Sequence, residues 1–207
     1  MRKKLYPVTE VFTSIQGEGI DSGRLANFIR LSGCNLDCAF CDTNHSSYKL
    51  MSAGDIIKLL DRKAALTVIT GGEPLIHDIR PLVFALKKKW YQVGIETNGT
   101  KELHPDLYDS IDSISLSPKV PFKECKITCC SSLKILYPWI NGKVTPENYE
   151  SLHAVWRFIQ PVDSRPDGAV APYGIWNRQT ISECIALLKK YPDYRIGIQL
   201  HKVMEVQ

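Results

Sequence analysis

"FIRLSGCNLDCAFCDT", residues 28 to 43, runs from a strand-like apolar stretch into a loop carrying Cys34, Cys38 and Cys41 at C-x3-C-x2-C spacing. Three thiolates are one fewer than a metal site usually takes. A structural zinc uses four protein ligands, and so does an ordinary iron-sulfur cluster. Two readings stay open on the residues themselves. In one, His45 completes a Cys3His zinc site; in the other, three thiolates hold three irons of a 4Fe-4S cluster and the fourth iron is left for a non-protein ligand. The zinc spacing is poor, since all four ligands would crowd into twelve residues of one loop. Asn35, Asp37 and Asp42 make the loop too polar for unliganded core cysteines.

Outward from this loop, the chain alternates strand-like and helical patterns. Residues 25 to 33 form the strand that feeds the cysteines. "SAGDIIKLLDRK", 52 to 63, reads as a helix capped by Ser52, with Asp55 in the first turn and Ile56, Leu59 and Leu60 on one face. "ALTVITGG", 65 to 72, is a strand; "IRPLVFALKKKW", 79 to 90, is a helix in which Ile79, Leu82, Val83 and Leu86 recur at helical spacing and Pro81 is tolerated near the start. "YQVGIETNG", 91 to 99, and "SISLSPK", 113 to 119, read as strands ending in polar loops. "VWRFIQPVD", 155 to 163, and "YRIGIQLHKV", 194 to 203, resemble strands flanking a helix over 180 to 191. Strands joined by helical crossovers pair in parallel and put their ligand loops at one end. The loops from Cys34 to Cys41, Gly71 to Pro74, Glu96 to Asn98 and Ser115 to Lys119 are therefore expected on one rim. Residues 120 to 150 are the least regular and read as an insertion, although "SLKILYPWI" within them is apolar enough to be buried.

Composition sets the bounds. The 207 residues, 44% of them hydrophobic, suit one domain with a sizeable core. A net charge of +4, from 26 basic and 22 acidic residues, is too small and dispersed to mark a nucleic-acid surface, and "KKKW" at 87 to 90 reads as a solvated helix end. No signal-peptide pattern and no run of 18 apolar residues is found, so a cytoplasmic chain without a membrane span is expected. In that compartment seven cysteines argue for metal, redox or burial roles over a disulfide framework. Cys125, Cys129 and Cys130 read as structural or incidental thiols, with zinc or an auxiliary cluster as the other readings, and Cys184 as core.

The cysteine spacing, Phe40 before the last cysteine and "GGEP" at 71 to 74 resemble the radical S-adenosylmethionine superfamily. "FTSIQGEG" at 12 to 19, the CDT of residues 41 to 43 and "QLHK" at 199 to 202 narrow the resemblance to the 7-carboxy-7-deazaguanine synthases, and it runs through most of the chain. The resemblance implies an α/β fold, an incomplete and modified (β/α)6-type partial barrel with mostly parallel strands. It forms one domain over 1 to 207, with a substrate-binding segment at 6 to 24. It implies one 4Fe-4S cluster on Cys34, Cys38 and Cys41. S-adenosylmethionine would lie against Phe40, Gly71, Gly72, Glu73, Glu96, Thr97, Asn98, Ser115, Ser117, Lys119 and Gln160. For Gln160 a hydrogen bond closing the sheet is the other reading.

For the substrate, the resemblance implies 6-carboxy-5,6,7,8-tetrahydropterin, held by Ile15, Gln16, Gly17, Glu18, Gly19, Arg30, Thr70 and His201. Glu18 suits the adjacent N–H donors of a guanidine-like ring edge, and the planar fork of Arg30 suits a carboxylate. Gln207, at the chain end, is a further substrate contact by resemblance, a frayed end being the alternative. Thr43 is the implied magnesium ligand, with Asp42 as a loop cap or an outer contact. A homodimer and a reduced flavodoxin or ferredoxin complete the expectation, with no nucleic acid and no membrane. An activase acting on a partner's glycine and a zinc-stabilised nucleic-acid module are the competing readings; the second leaves GGEP unexplained.

Overall fold

In a computed structural model of the chain, the described residues are 4–41, 43, 47–162 and 178–206; Asp42, His45 and Gln207 lie outside them. Nine strands form one sheet: β1 (Leu5–Ile15), β2 (Leu25–Leu31), β3 (Lys49–Ser52), β4 (Leu66–Gly71), β5 (Gln92–Thr97), β6 (Ser113–Leu116), β7 (Cys129–Tyr137), β8 (His153–Pro161) and β9 (Tyr194–Ile196). Their order is β3-β1-β2-β4-β5-β6-β7-β8-β9. From β2 to β9 every neighbouring pair is parallel, while β1 is antiparallel to both β2 and β3. The mostly parallel α/β sheet is the one expected.

Among the described residues four helices accompany it: α1 (Ala53–Leu59), α2 (Arg80–Lys87), α3 (Arg178–Lys190) and α4 (Leu200–Val203). Ser52 caps α1 by accepting from the Asp55 N–H, and Pro81 lies in the first turn of α2, where its missing N–H costs no helical bond. Between β5 and β6, β6 and β7, and β7 and β8, the described crossovers contain only short 3-10 turns. The barrel is thus trimmed where the sequence between residues 101 and 112 is thin.

Alternation along the strands divides the sheet into two faces. Ile29, Leu31, Ile69, Val93, Ile95, Leu133, Ile135 and Ile159 belong to the large core, together with Ile56 of α1, Leu82, Val83 and Leu86 of α2 and Cys184 of α3. Their in-register alternates Arg30, Thr70, Glu96, Ser115, Ser132 and Lys134 point to the other face. That face is curled, because the loop after β1 reaches across it: the Ile20 N–H donates to Ser132 Oγ of β7 at 2.9 Å.

Two expectations are corrected. Residues 120 to 150 are not simply irregular: β7 lies within them and pairs with β6 and β8 inside the sheet. Leu133 and Ile135 face the helix-side core while Ser132 and Lys134 face inward, which disguises the strand as a mixed stretch. The strand expected over 194 to 203 ends at Ile196, and the chain turns into α4, where Leu200 N–H donates to Gly17 O at 2.9 Å. Much of the segment from 6 to 24 is built into the sheet, β1 being an eleven-residue strand.

Candidate active site

The four polar loops do meet at one rim. Gly72 N–H donates to Leu31 O at 3.1 Å and Glu73 N–H to Gly33 O at 2.9 Å, which ties the end of β4 to the start of the cysteine loop. The approach demands glycine. A Cβ on Gly72 would stand 2.1 Å from the Gly33 oxygen and 2.9 Å from Cys34 Cβ, and Gly71 has φ +134.

Glu73 is fully buried and ties this corner to the loop after β5. It accepts from Leu75 N–H at 3.0 Å, Thr97 Oγ1 at 2.9 Å and Asn98 N–H at 2.7 Å. Burial pushes its carboxyl up, and these donors oppose the shift. Asn35 makes the next connection: it donates to Thr100 Oγ1 at 2.8 Å and accepts from Asn98 Nδ2 at 3.3 Å. Ser117 N–H donates to Thr97 O at 2.9 Å, and Lys119 Nζ donates to Ser117 Oγ at 2.7 Å. Burial first, then the nearby Lys134 charge, bring Lys119 down to about 8.

Cys34 and Cys38 are partly buried and Cys41 is exposed, as is Phe40 beside it. Cys41 N–H donates to Cys38 O at 2.9 Å, a tight turn that keeps two thiols on one side. Burial pushes the Cys38 thiol up; Lys119 opposes this, while Cys41 and Cys34 add to it. Among the described residues no trio of His, Cys, Asp or Glu could hold a metal ion as it stands. A four-iron cube spaces its thiolates more widely than a single ion does, and three thiols on one rim loop suit it. Room for a polar cofactor lies on the inner face: Ser115 Oγ and Gln160 Oε1 are buried without a hydrogen-bond partner. Buried polar atoms are rarely left unpaired, so a ligand with polar groups fits there. The Gln160 side-chain oxygen makes no hydrogen bond that would close the sheet.

Next to this rim lies a second polar centre. Gln16 Nε2 donates to Glu96 Oε1 at 2.9 Å, and Gln16 Oε1 accepts from Glu18 N–H at 3.2 Å. Lys134 Nζ donates to Glu96 Oε2 at 3.1 Å and to Glu18 Oε2, and Gln199 Nε2 donates to Glu18 Oε1 at 2.8 Å. Burial alone would raise Glu18, but the Lys134 charge and its hydrogen bond outweigh it and hold the carboxyl down at about 2. Lys134 is held up in turn by the two carboxylates, against its own burial. A Cβ on Gly17 would lie 1.9 Å from His201 Nδ1, so the QGEG loop and the QLHK end pack face to face. A small pocket lies here, bordered by Gln16, Glu18, Glu96, Ser115 and Ser132.

Arg30 stands farther along the inner face, opposite Thr70 of β4. Its Nε donates to Glu10 Oε1 at 2.5 Å, its Nη1 to Thr43 Oγ1 at 3.3 Å, and its guanidinium lies 5.6 Å from the centre of the Phe12 ring. Arg30 and Thr43 thus meet. Ile15 ends β1 at the mouth of the QGEG loop, whose Gly19 abuts Ser132 and Ser115.

Sequence reading missed Lys134, Gln199, Glu10 and Asn35. Lys134 had a signal, a polar residue two places after Ser132 in a strand-like run; Gln199 stood inside the QLHK motif, but the expected strand there hid its role.

This arrangement of three rim cysteines, a glycine corner and a polar inner face defines a class. Residues 28–157 match the radical SAM superfamily, to which the chain belongs. Within it the chain belongs to the 7-carboxy-7-deazaguanine synthase family. It is 35% identical to the 7-carboxy-7-deazaguanine synthase of Bacteroides thetaiotaomicron, over 97% of this chain and 98% of that protein. It is 37% identical to that of Escherichia coli, over 97% and 99%. The crystal structure of QueE from Escherichia coli superposes with a TM-score of 0.69 at 26% identity, covering 95% of each chain.

Proposed function

We propose that the chain converts 6-carboxy-5,6,7,8-tetrahydropterin to 7-carboxy-7-deazaguanine with release of ammonia, as a radical carbon-nitrogen lyase. One observation carries the reading: the QGEG loop, the end of β5, β7 and the QLHK segment meet in a polar centre beside the three-cysteine rim. Such a centre suits a small ring rich in hydrogen-bonding groups. When bound, the 4Fe-4S cluster and S-adenosylmethionine supply a 5'-deoxyadenosyl radical for hydrogen abstraction, the S-adenosylmethionine being regenerated.

The residues divide the remaining work. Cys34, Cys38 and Cys41 would hold three irons. Phe40, the GGEP corner, Glu96 to Asn98, Ser115, Ser117, Lys119 and Gln160 would hold S-adenosylmethionine, and the buried Ser115 Oγ and Gln160 Oε1 await its polar groups. Glu73, already taken by three protein donors, orders the corner for the methionine amino group. On the other side, Ile15, Gln16, Gly17, Glu18, Gly19, Thr70 and His201 would enclose the pterin, with Arg30 on its carboxylate. Positioning the reacting carbon within reach of the abstracting centre is a large part of the rate such a pocket supplies.

Magnesium belongs to this reading through Thr43, whose hydroxyl lies beside Arg30 where a substrate carboxylate would sit. Magnesium keeps several waters and takes few protein ligands, so one threonine oxygen suffices. Thr43→Ala is expected to weaken the magnesium dependence of turnover and leave the cofactor-bound cluster signal intact; an unchanged magnesium titration rejects the role. A homodimer, a reduced flavodoxin or ferredoxin as electron source, and a cytoplasmic location complete the proposal. No helix among the described residues is long and apolar enough to cross a membrane.

The deciding experiment is an anaerobic incubation of the reconstituted enzyme with the tetrahydropterin, S-adenosylmethionine and reductant, read by mass spectrometry. Formation of 7-carboxy-7-deazaguanine with equimolar ammonia is expected. Substrate returned unchanged by an enzyme that still cleaves S-adenosylmethionine overturns the substrate assignment.

A further inference from the structure

Lys134 is 3% exposed, on the inner face of β7, and its ammonium joins two carboxylates from separate elements of the fold. Glu18 sits on the loop after β1, Glu96 at the end of β5. An ammonium buried this deeply is expensive unless paired, and removing one partner of such a pair leaves an uncompensated charge. The core does not need a lysine here, because the helix-facing positions of β7, Leu133 and Ile135, already complete the packing. Nothing about folding explains why a cation, two carboxylates and two amides are collected on the face that borders the pocket.

We infer that Lys134 is a positioning residue: it holds Glu18 ionised and oriented so that its carboxylate reads the amino-bearing edge of the pterin. The inference rests on the proposed function and names the residue that gives the pocket its preference for a 2-amino ring. Glu18 is gripped at both oxygens, by Lys134 on Oε2 and Gln199 on Oε1. A carboxylate oxygen has two lone-pair sites, so each oxygen keeps capacity for a further N–H donor. The same ammonium contacts Glu96, which binds Gln16, so one cation fixes both polar residues of the QGEG loop relative to the sheet. Without it, Glu18 and Glu96 would face each other with like charge, and one would move or take up a proton. A protonated or displaced Glu18 no longer accepts from the ring edge.

The test compares two ligands on the reconstituted holoenzyme with S-adenosylmethionine: 7-carboxy-7-deazaguanine and its 2-oxo counterpart, which puts a carbonyl oxygen where the amino group stood. Binding is measured by calorimetry for wild type, Lys134→Met, Lys134→Arg, Glu18→Gln and the double variant Glu18→Gln/Lys134→Met. Wild type is expected to prefer the amino ligand. Lys134→Met should lose roughly tenfold or more of that preference, the scale of a charged hydrogen bond, and Lys134→Arg should restore part of it. Adding Lys134→Met to Glu18→Gln should change the preference no further, because the lysine acts through Glu18.

An equal loss for both ligands in Lys134→Met marks a purely structural role and overturns the inference, as does an unchanged preference. If Lys134→Met does not fold, the comparison of Glu18→Gln with the double variant decides. The double variant buries the same net charge as the wild-type trio, and a further loss of preference in it overturns the inference. A wild type that binds neither ligand overturns the functional reading itself, and the inference with it.

Discussion

The two faces of the one sheet were built by different rules. On the helix-covered face, Ile29, Ile69, Ile95, Ile135 and Ile159 are interchangeable in kind: each is buried, apolar and defined by its place in the alternation. On the inner face, Arg30, Glu96, Ser115 and Lys134 occupy the equivalent alternate positions, and each has its own partner or an unmet hydrogen bond. Polar residues half-enclosed in a curled sheet cost desolvation that only specific partners offset. A strand that places them there while its other edge packs a core is spending its inward residues on ligands. The comparison predicts that inward substitutions that leave no buried charge unpaired change chemistry at nearly constant stability, and outward or capping substitutions do the reverse.

The largest expected effect falls on the rim. Cys34→Ala, Cys38→Ala or Cys41→Ala should remove the site-differentiated cluster and abolish 5'-deoxyadenosine formation, measured together with iron content on anaerobically reconstituted protein. Cys125→Ala should keep both, because Cys125 packs against the core on the helix side. Full iron and undiminished 5'-deoxyadenosine in any of the first three would break the assignment of the rim as the catalytic end.

Arg30 gives a smaller and more selective effect. Its bonds to Glu10 and Thr43 and its stack on Phe12 leave its guanidinium aimed along the inner face, one residue before the strand enters the rim. Arg30→Ala should raise the KM for the tetrahydropterin by roughly tenfold or more, the scale of a charged hydrogen-bond pair. The electron paramagnetic resonance signal of the S-adenosylmethionine-bound cluster should persist. Arg30→Lys should rescue incompletely, because an ammonium keeps the charge and loses the rigid fork. Loss of the cofactor signal with intact iron would move Arg30 to the other half of the site.

What was legible in the sequence follows the same division. The cysteine loop, the GGEP corner and the Ser52 cap are contiguous, so their chemistry is written in neighbouring residues. The helix-covered face was legible as periodicity, which is why α1, α2 and α3 and the buried Cys184 match their expected positions. The second polar centre was not. Gln16 and Glu96 are 80 residues apart, Glu18 and Lys134 are 116 apart, and Glu18 and Gln199 are 181 apart. Only the curl of the sheet joins them. Lys134 was hidden further because "SLKILYPWI" shows three apolar residues for each polar one near its centre, and β7 then reads as buried filler in an insertion. The end of β9 was overextended because "IGIQL" alternates like a strand, whereas the tertiary contact of Leu200 N–H with Gly17 O favours the turn into α4.

The smallest expected effect tests the outward side of the comparison. Ser52 is the last residue of β3 and the N-cap of α1, accepting from the Asp55 N–H at 3.3 Å and donating to Asp55 Oδ2 at 2.6 Å. Replacing a serine cap by alanine leaves a helix N–H without its partner and costs about 1 kcal/mol. In a chain of this size that lowers the Tm by roughly 2–4 °C. The helix it caps packs through Ile56 against the helix-side core, away from Arg30, Glu18 and Lys134. Ser52→Ala should therefore shift thermal unfolding by this small amount while leaving the KM for the tetrahydropterin and the cluster spectrum unchanged. Calorimetric melting and steady-state kinetics on the same preparation check both halves. A cap variant that altered the KM would mean that the scaffold side transmits its strain to the site, and that the two faces of the sheet are not independent.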